Sequence, residues 1–428
     1  MTSEEALELL EIILKSDYLN QTQEVVFCGS WNGQSYMEIA NTTGYDYGYV
    51  KDTGAQLWRS LSDALGEKVT KKNVCKVLSK IDRQSIQRPS AIAPPSGERR
   101  TKHSWEEKID VEKFYGRLDE RATIENWIFK DRSRLVSVLG IGGVGKTALS
   151  TRVATDAQEH FDYVIWRTLR HAPPLNELLS DIILVLSEQQ DVSPPEHSEQ
   201  RIGHLLSYLA KYRCLLILDN VESILQKGTH AGCYRETYQE YASLFERIAD
   251  EGHQSCLLIT SRESPVGLFR RSGTHSLVKA LHLDGLDQAA IREVIHDKGL
   301  TILDCEHEQL YSHYCGNPLA LKIVAATINA VFGGNVSEFL NYGTLIFGDL
   351  WDVLEQQFLR LPALEQKIMY WLAINRSWVK LSELREDLLS LVPPRELLEA
   401  VESLKARSLI ETSVEGITQQ PVVMEYMT

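Results

Sequence analysis

The chain has no apolar run approaching the ~20 residues that a membrane-crossing helix requires. Its start, MTSEEALELLEIILKS, is acidic and amphipathic, the reverse of a secretory signal with its basic head and apolar middle. Cysteine is sparse and unpatterned: Cys28, Cys75, Cys214, Cys233, Cys256, Cys305 and Cys315 are odd in number and include no C-x-x-C pair. That spacing argues against a disulfide frame or a thiolate zinc site and for reduced thiols in a cytosol. Positive charge is also short, with 45 Lys and Arg against 59 Asp and Glu and a net charge of −14. Such a balance disfavours nonspecific binding of the whole molecule to nucleic acid or an anionic membrane, although a local basic patch can still do either. No internal repeat is present. A cytoplasmic protein without a membrane partner is the expectation. At 428 residues it is too long for one core, and two to four domains are expected.

Residues 84–108 open with QSIQRPSAIAPPSGERRTKHS, rich in Pro, Ser and Gly and poor in large apolar residues, and read as a linker. Before it, residues 1–83 read as a small α-helical domain. Leu7, Leu10, Ile13 and Leu14 form one helical stripe. SYMEIANTTGY and YVKDTGAQLWRSLSDALG then follow helix-turn-helix grammar, with Ile39, Ala40, Val50, Leu57, Trp58, Leu61 and Leu65 as the buried face. Thr70 is a candidate cap for the helix after it. Beyond the linker, RLVSVLG, YVIWRTL, CLLILD and SCLLITS are short and continuously apolar, as parallel strands buried on both faces are. Helical stretches alternate with them, giving a doubly wound α/β layer. From about Gly285 helices take over, and the chain ends in a hairpin-like SLIETSVEGITQQPVVM.

Gly140-Ile-Gly-Gly-Val-Gly-Lys-Thr147 matches G-x-x-x-x-G-K-[ST], entered by an apolar strand and left by a helix. This is the P-loop pattern. Its glycines let successive backbone N–H groups turn in around phosphate oxygens, and the helix N-terminus adds partial positive charge. Gly140, Gly142, Gly143, Val144, Gly145, Lys146, Thr147 and Ala148 are thus the candidate nucleotide-binding turn. Lys146 is expected on the β- and γ-phosphates and Thr147 on Mg²⁺. Asp219, ending the strand CLLILD, is the second candidate metal ligand, against the plainer reading of a turn cap. Glu222 is the nearest carboxylate able to take a proton from water, since the amide of Asn220 can only orient one. Arg262, at the end of LLITSRE, falls at the sheet edge where ligands of open α/β sheets gather, or is simply a surface arginine. Lys146, Asp219, Glu222 and Arg262 are the candidate catalytic set.

Five motifs in order resemble the NB-ARC nucleotide-binding domain of STAND ATPases, the class that includes apoptosome and plant resistance proteins. They are FYGRLDE, the phosphate loop, LLILDNVE, LLITSRE and CGNPLALKIVA, and the resemblance covers residue 110 to the end. It implies a multidomain α/β plus α protein, a P-loop NTPase parallel sheet with helical and winged-helix domains behind it. The implied domains are 109–272 for nucleotide binding, 273–345 for the helical unit and 346–428 for the winged helix. The resemblance implies ADP or ATP with Mg²⁺ as ligands. Backbone around Tyr115, Gly116 and Arg117 would cup the adenine, Pro318 would pack on it, and Arg262 would read the γ-phosphate. Pro318 on its own reads as the first turn of a core helix. Two positions depart from the family: Asn220 replaces a second acidic residue, and Glu425 stands where a histidine holds the ADP β-phosphate, so Glu425 is given no nucleotide contact.

The N-terminal unit resembles the helix-turn-helix-like domains heading many cyanobacterial STAND proteins. Lys51, Asp52, Arg59 and Asp63 balance one another along its second helix. A basic run of Lys68, Lys71, Lys72, Lys76, Lys80, Arg83 and Arg88 against Asp82 follows. A protein-docking module is therefore favoured over a DNA reader. Relatives generally continue into a sensor domain, often of WD repeats. None follows here, and the sequence reads as a truncated product or a fragment. The expected function is an ADP/ATP switch, a slow ATPase that controls self-assembly and the N-terminal module. A nucleotide-gated transcription regulator and a non-hydrolysing scaffold are the alternatives.

Overall fold

A computed structural model describes residues 21–78 and 101–427, apart from 32, 44–46, 66–67, 107–110, 188–196, 274, 344–345 and 389–391. The stripe Leu7 to Leu14 and most of the 84–108 linker lie outside them, and Leu65 is described only as the last residue of its helix. The chain forms two compact units, Met1–Glu98 and Arg99–Thr428.

In the first unit, helices Gln21–Trp31, Tyr36–Thr43 and Tyr47–Leu65 bury Val26, Phe27, Ile39, Val50, Leu57 and Leu61 against one another. Trp58 Nε1 donates to Tyr36 Oη at 2.7 Å, so the largest ring of the cluster keeps its polar group satisfied. Gly54 is required at that crossing, because a Cβ there would sit 2.6 Å from the Tyr36 hydroxyl. Thr70 does not cap the following helix with its side chain. Its hydroxyl and amide both donate to Asn73 Oδ1, closing a turn ahead of the helix Val74–Leu78.

The second unit is built on six parallel strands: β1 (Lys102–Trp105), β2 (Leu135–Leu139), β3 (Tyr163–Thr168), β4 (Cys214–Asp219), β5 (Cys256–Ser261) and β6 (Val278–His282). Their order in the sheet is β1-β3-β4-β5-β2-β6. Strands β2 to β5 are buried at every residue, which is why their sequences are apolar runs without alternation. Two strands escape that signature. β1 is the KHSW at the end of the segment read as linker, and it is half exposed at the sheet edge beside β3. β6 mixes Lys279 and His282 into its pattern at the opposite edge.

Register aligns the strand ends. Leu139 pairs with Ser261 on one side and His282 on the other, and Thr168 pairs with Asp219. The residues that follow β2, β4 and β5 therefore emerge together at the carboxyl edge. β2 lies between β5 and β6, while its own chain leaves by the helix Lys146–Ala157 towards β3 on the far side of β4, which makes this edge a topological switch point. From Gln288 to Met427 the chain is helical, interrupted by the hairpin β7 (Ile410–Ser413) and β8 (Gly416–Gln419). Residues of these helices from Leu286 to Val423 belong to one apolar core. Among the described residues no single helix is long and apolar enough to cross a membrane.

Candidate functional site

The helix Lys146–Ala157 starts from Gly145, which is in the left-handed region at φ 103° and offers no side chain to cap it. Its first amides have no partner within the helix and face outward. Gly143 is also left-handed, at φ 78°, and a Cβ there would meet Leu319 Cβ at 2.7 Å. Glycine is needed at that position both for the turn and for the approach of the helix Pro318–Val331.

That loop forms the floor of a cavity of about 340 Å³. Gly142, Gly143, Val144, Gly145, Lys146, Thr147 and Ala148 line it, together with Glu222 and Arg262 from the ends of β4 and β5. Tyr115 and Arg117 close one side, and Pro318 another. Gly140 and Asp219 lie behind this lining. Gly140 packs on Leu283, whose carbonyl a Cβ would reach at 2.7 Å. Gly116 faces a neighbouring cavity lined by Phe114, Arg121 and Arg152, so the structure does not bring it to the others.

Lys146 is buried and its Nζ donates to the carbonyls of Gly140 and Ile141, at 2.8 and 2.9 Å. Burial pushes its pKa down to about 8, with Glu222 and Asp219 opposing and Arg262 adding to the effect. Thr147 Oγ1 donates to Asp219 Oδ1 at 3.0 Å. Thr260 donates to the same carboxylate. Burial raises the Asp219 pKa, and the two hydroxyls partly offset it. Glu222 sits on a short 3₁₀ turn, Val221–Ile224, and is paired with Arg262 Nε at 3.2 Å. The candidate base and the candidate phosphate reader therefore hold each other in this arrangement. Asn220 lines the cavity too, with a left-handed backbone (φ 62°) and a buried Oδ1 that has no hydrogen-bond partner.

Sequence reasoning missed the side chains that brace the loop, among them Arg117 and Asn317. The Arg117 guanidinium is buried and donates to the carbonyls of Val144 (3.1 Å), Asp284 (2.5 Å) and Gly285 (3.1 Å), tying the phosphate loop to the chain after β6. Asn317 Oδ1 accepts from Leu319 N and Ala320 N, capping the helix, while its Nδ2 donates to Gly142 O at 3.0 Å. An Asn ahead of a Pro is an N-cap signal that was available; the second bond was not. Glu425 lies away from this cavity, in another of about 190 Å³ with His313, Tyr314 and Arg376.

Comparison with known proteins gives the following matches. Residues 118–270 match the NB-ARC domain, and residues 1–81 match the N-terminal HTH of vWA-MoxR associated proteins. A WD repeat-containing protein of the cyanobacterium Nostoc sp. is 48% identical over 336 residues, which is 76% of this chain. The chain spans only 27% of that relative's length. The Walker-type ATPase of Pyrococcus abyssi superposes with a TM-score of 0.51 at 18% identity, covering 77% of this chain and 98% of its own. A STAND protein with a tetratricopeptide repeat sensor from Pyrococcus horikoshii gives a TM-score of 0.39 at 19% identity, over 76% of this chain and 44% of its own. Residues 118–270 thus carry the NB-ARC match on a P-loop NTPase fold, and residues 1–81 carry the match to a helix-turn-helix of the vWA-MoxR associated type.

Proposed function

We propose that this chain is an adenine-nucleotide switch whose occupancy controls the packing of residues 346–428 on the phosphate loop. The observation that carries the reading is the single cavity. The phosphate loop, a lysine, an arginine and a hydroxyl backed by the Asp219 carboxylate meet there from separate strand ends, with Tyr115 and Pro318 in the same lining.

The residues fit the ligands. Uncapped amides at Gly145 and the helix behind it suit an anion. Thr147 and Asp219, already in contact, give the hard oxygen pair that Mg²⁺ accepts alongside phosphate and water. Bound Mg²⁺ would neutralise phosphate charge and polarise the terminal group. Lys146 would exchange its two loop carbonyls for phosphate oxygens. Arg262 would have to leave Glu222 to contact a third phosphate, and Glu222 would then be free to accept a proton from water. With Asn220 unable to take a proton and Glu222 paired to Arg262, slow hydrolysis is part of the proposal, as a switch requires. The assignment includes a division between the nucleotide-binding and helical regions after β6, later than the expected 272, and a second near 345. It also includes a winged-helix form for 346–428, a cytoplasmic setting and self-assembly in the open state. The N-terminal unit is assigned to protein docking. Its helix-turn-helix match favours DNA as the second reading, and a gel shift of the full chain with specific competitor separates the two.

The test is to purify the chain without added nucleotide, denature it and identify what is released by ion-pair chromatography. Stoichiometric ADP is expected, with none from Lys146→Ala. A chain that arrives empty and binds neither ADP nor ATP would end the reading.

A further inference from the structure

Arg262 and Glu263 are consecutive at the end of β5 and point to opposite sides. Arg262 reaches into the cavity and pairs with Glu222. Glu263 is only 1% exposed and faces the C-terminal helices. There it holds Arg407 at 2.8 Å and Arg360, whose Nε donates to it at 3.1 Å. Arg360 also donates to the carbonyls of Glu222 (3.0 Å) and Leu225 (3.4 Å). Arg407 donates to Thr229 O at 2.6 Å and faces the buried Glu365 at 3.4 Å. Two carboxyl groups and two guanidiniums thus form a buried cluster, in which Arg407 Nε faces Glu365 without a hydrogen bond. Glu263 comes from the sheet, and Arg360, Glu365 and Arg407 come from the segment after 346.

A second contact runs parallel to it. Gln357 Oε1 accepts from Gly142 N at 3.4 Å, and its Nε2 donates to the carbonyl of Arg407 at 3.3 Å. Val353, one turn earlier on the helix Asp349–Phe358, sits so close that a Cβ on Gly142 would come within 2.8 Å of it. The phosphate loop and the cluster are therefore joined through one glutamine.

We propose that Glu263 and Gln357 form a latch that locks the segment after 346 onto the nucleotide site, and that withdrawal of Arg262 from Glu222 releases it. A buried ion cluster contributes little net stability, but it is costly to leave half made, so it favours two discrete arrangements over a graded one. The link to the site is covalent. Arg262 and Glu263 share a peptide bond, and Arg360 binds the carbonyl of Glu222, so a backbone shift at either site residue reaches the cluster. The latch takes the place, in this chain, of a direct contact from the final helix, where Glu425 stands in a different cavity. What trips it rests on the nucleotide-switch reading; the existence of the latch does not.

The test is hydrogen exchange on the full-length chain, alone and with Mg²⁺ plus ADP or a non-hydrolysable ATP analogue. Glu263→Gln removes one charge at constant shape and strands both arginines. Amides of the helix Asp349–Phe358 should then exchange about tenfold faster or more, while β2 to β5 keep wild-type protection. The ATP analogue should speed exchange in that helix of the wild type and add nothing further in the variant. If Glu263→Gln also loses protection in the strands, Gln357→Ala decides, and an increase of about threefold in the same helix is expected. Wild-type exchange there in both folded variants would overturn the latch. A Glu263→Gln protein that still responds to the analogue as wild type does would overturn the coupling. Should the chain bind no adenine nucleotide at all, the switch reading fails, while the nucleotide-free comparison still decides the latch.

Discussion

Glu365 has no exposed surface, and burial pushes its pKa up to about 7 against the pull of the Ser403 hydroxyl and Arg407. Glu263 nearby pushes in the same upward direction. His230, half exposed at 3.8 Å, is the remaining titratable group facing it. A carboxyl whose folded pKa is raised favours the fold when protonated. Its contribution is full below the ordinary carboxylate range and is lost as pH rises through about 7. The loss at pH 8 is about 3 kcal/mol, at 1.36 kcal/mol for each unit of pKa difference. Glu365→Gln keeps the shape of the protonated form. Its stability relative to wild type should therefore grow by about 2–3 kcal/mol between pH 5 and pH 8, read from urea midpoints at each pH. A difference that stays constant across that range would show that Glu365 is ionised throughout.

Among elements, the helix Pro318–Val331 is the one whose placement depends most on a single side chain. Asn317 caps it and also holds Gly142 O, so Asn317→Ala removes a cap worth about 1 kcal/mol and unties the helix from the loop. A loss of about 1–3 kcal/mol in stability is expected. ADP should bind several-fold more weakly, because Pro318 would no longer be fixed over the loop. A variant that loses stability but binds ADP unchanged would limit Asn317 to capping. The same helix shows where reading the sequence succeeds and where it stops. Strands buried on both faces announce themselves as apolar runs, and β2 to β5 are found at the four runs read as strands. β1 and β6 are at edges, where Lys102, His103, Lys279 and His282 break the run, and they could not be told from loop. In the site, motif residues were legible because phosphate chemistry restricts residue type at fixed spacing. The braces through Arg117, Asn317 and Gln357 were not, since a side chain bonded to a distant carbonyl or amide leaves no local pattern.

At the scale of the molecule, one apolar core runs through the helices from 286 to 423, and two of those helices approach the phosphate loop through Leu319 and Val353. Ligand binding in the cavity should therefore stabilise far more than its lining. At a free ADP concentration of about 100 times Kd, linkage adds about 2.7 kcal/mol to the state that binds. Because the loop is held by Asn317 from one side and Gln357 from the other, that increment should appear in all three places together. Hydrogen exchange with Mg²⁺ and ADP should slow by up to about a hundredfold in peptides covering 140–147, 317–331 and 349–358. The helices between 21 and 65 belong to the other compact unit and should exchange as they do without ligand. Protection confined to 140–147 would mean that the C-terminal helices merely rest against the loop. Protection that extends into 21–65 would mean that the signal already reaches the N-terminal unit in the ADP state, and the division of labour between closed and open states would have to be redrawn.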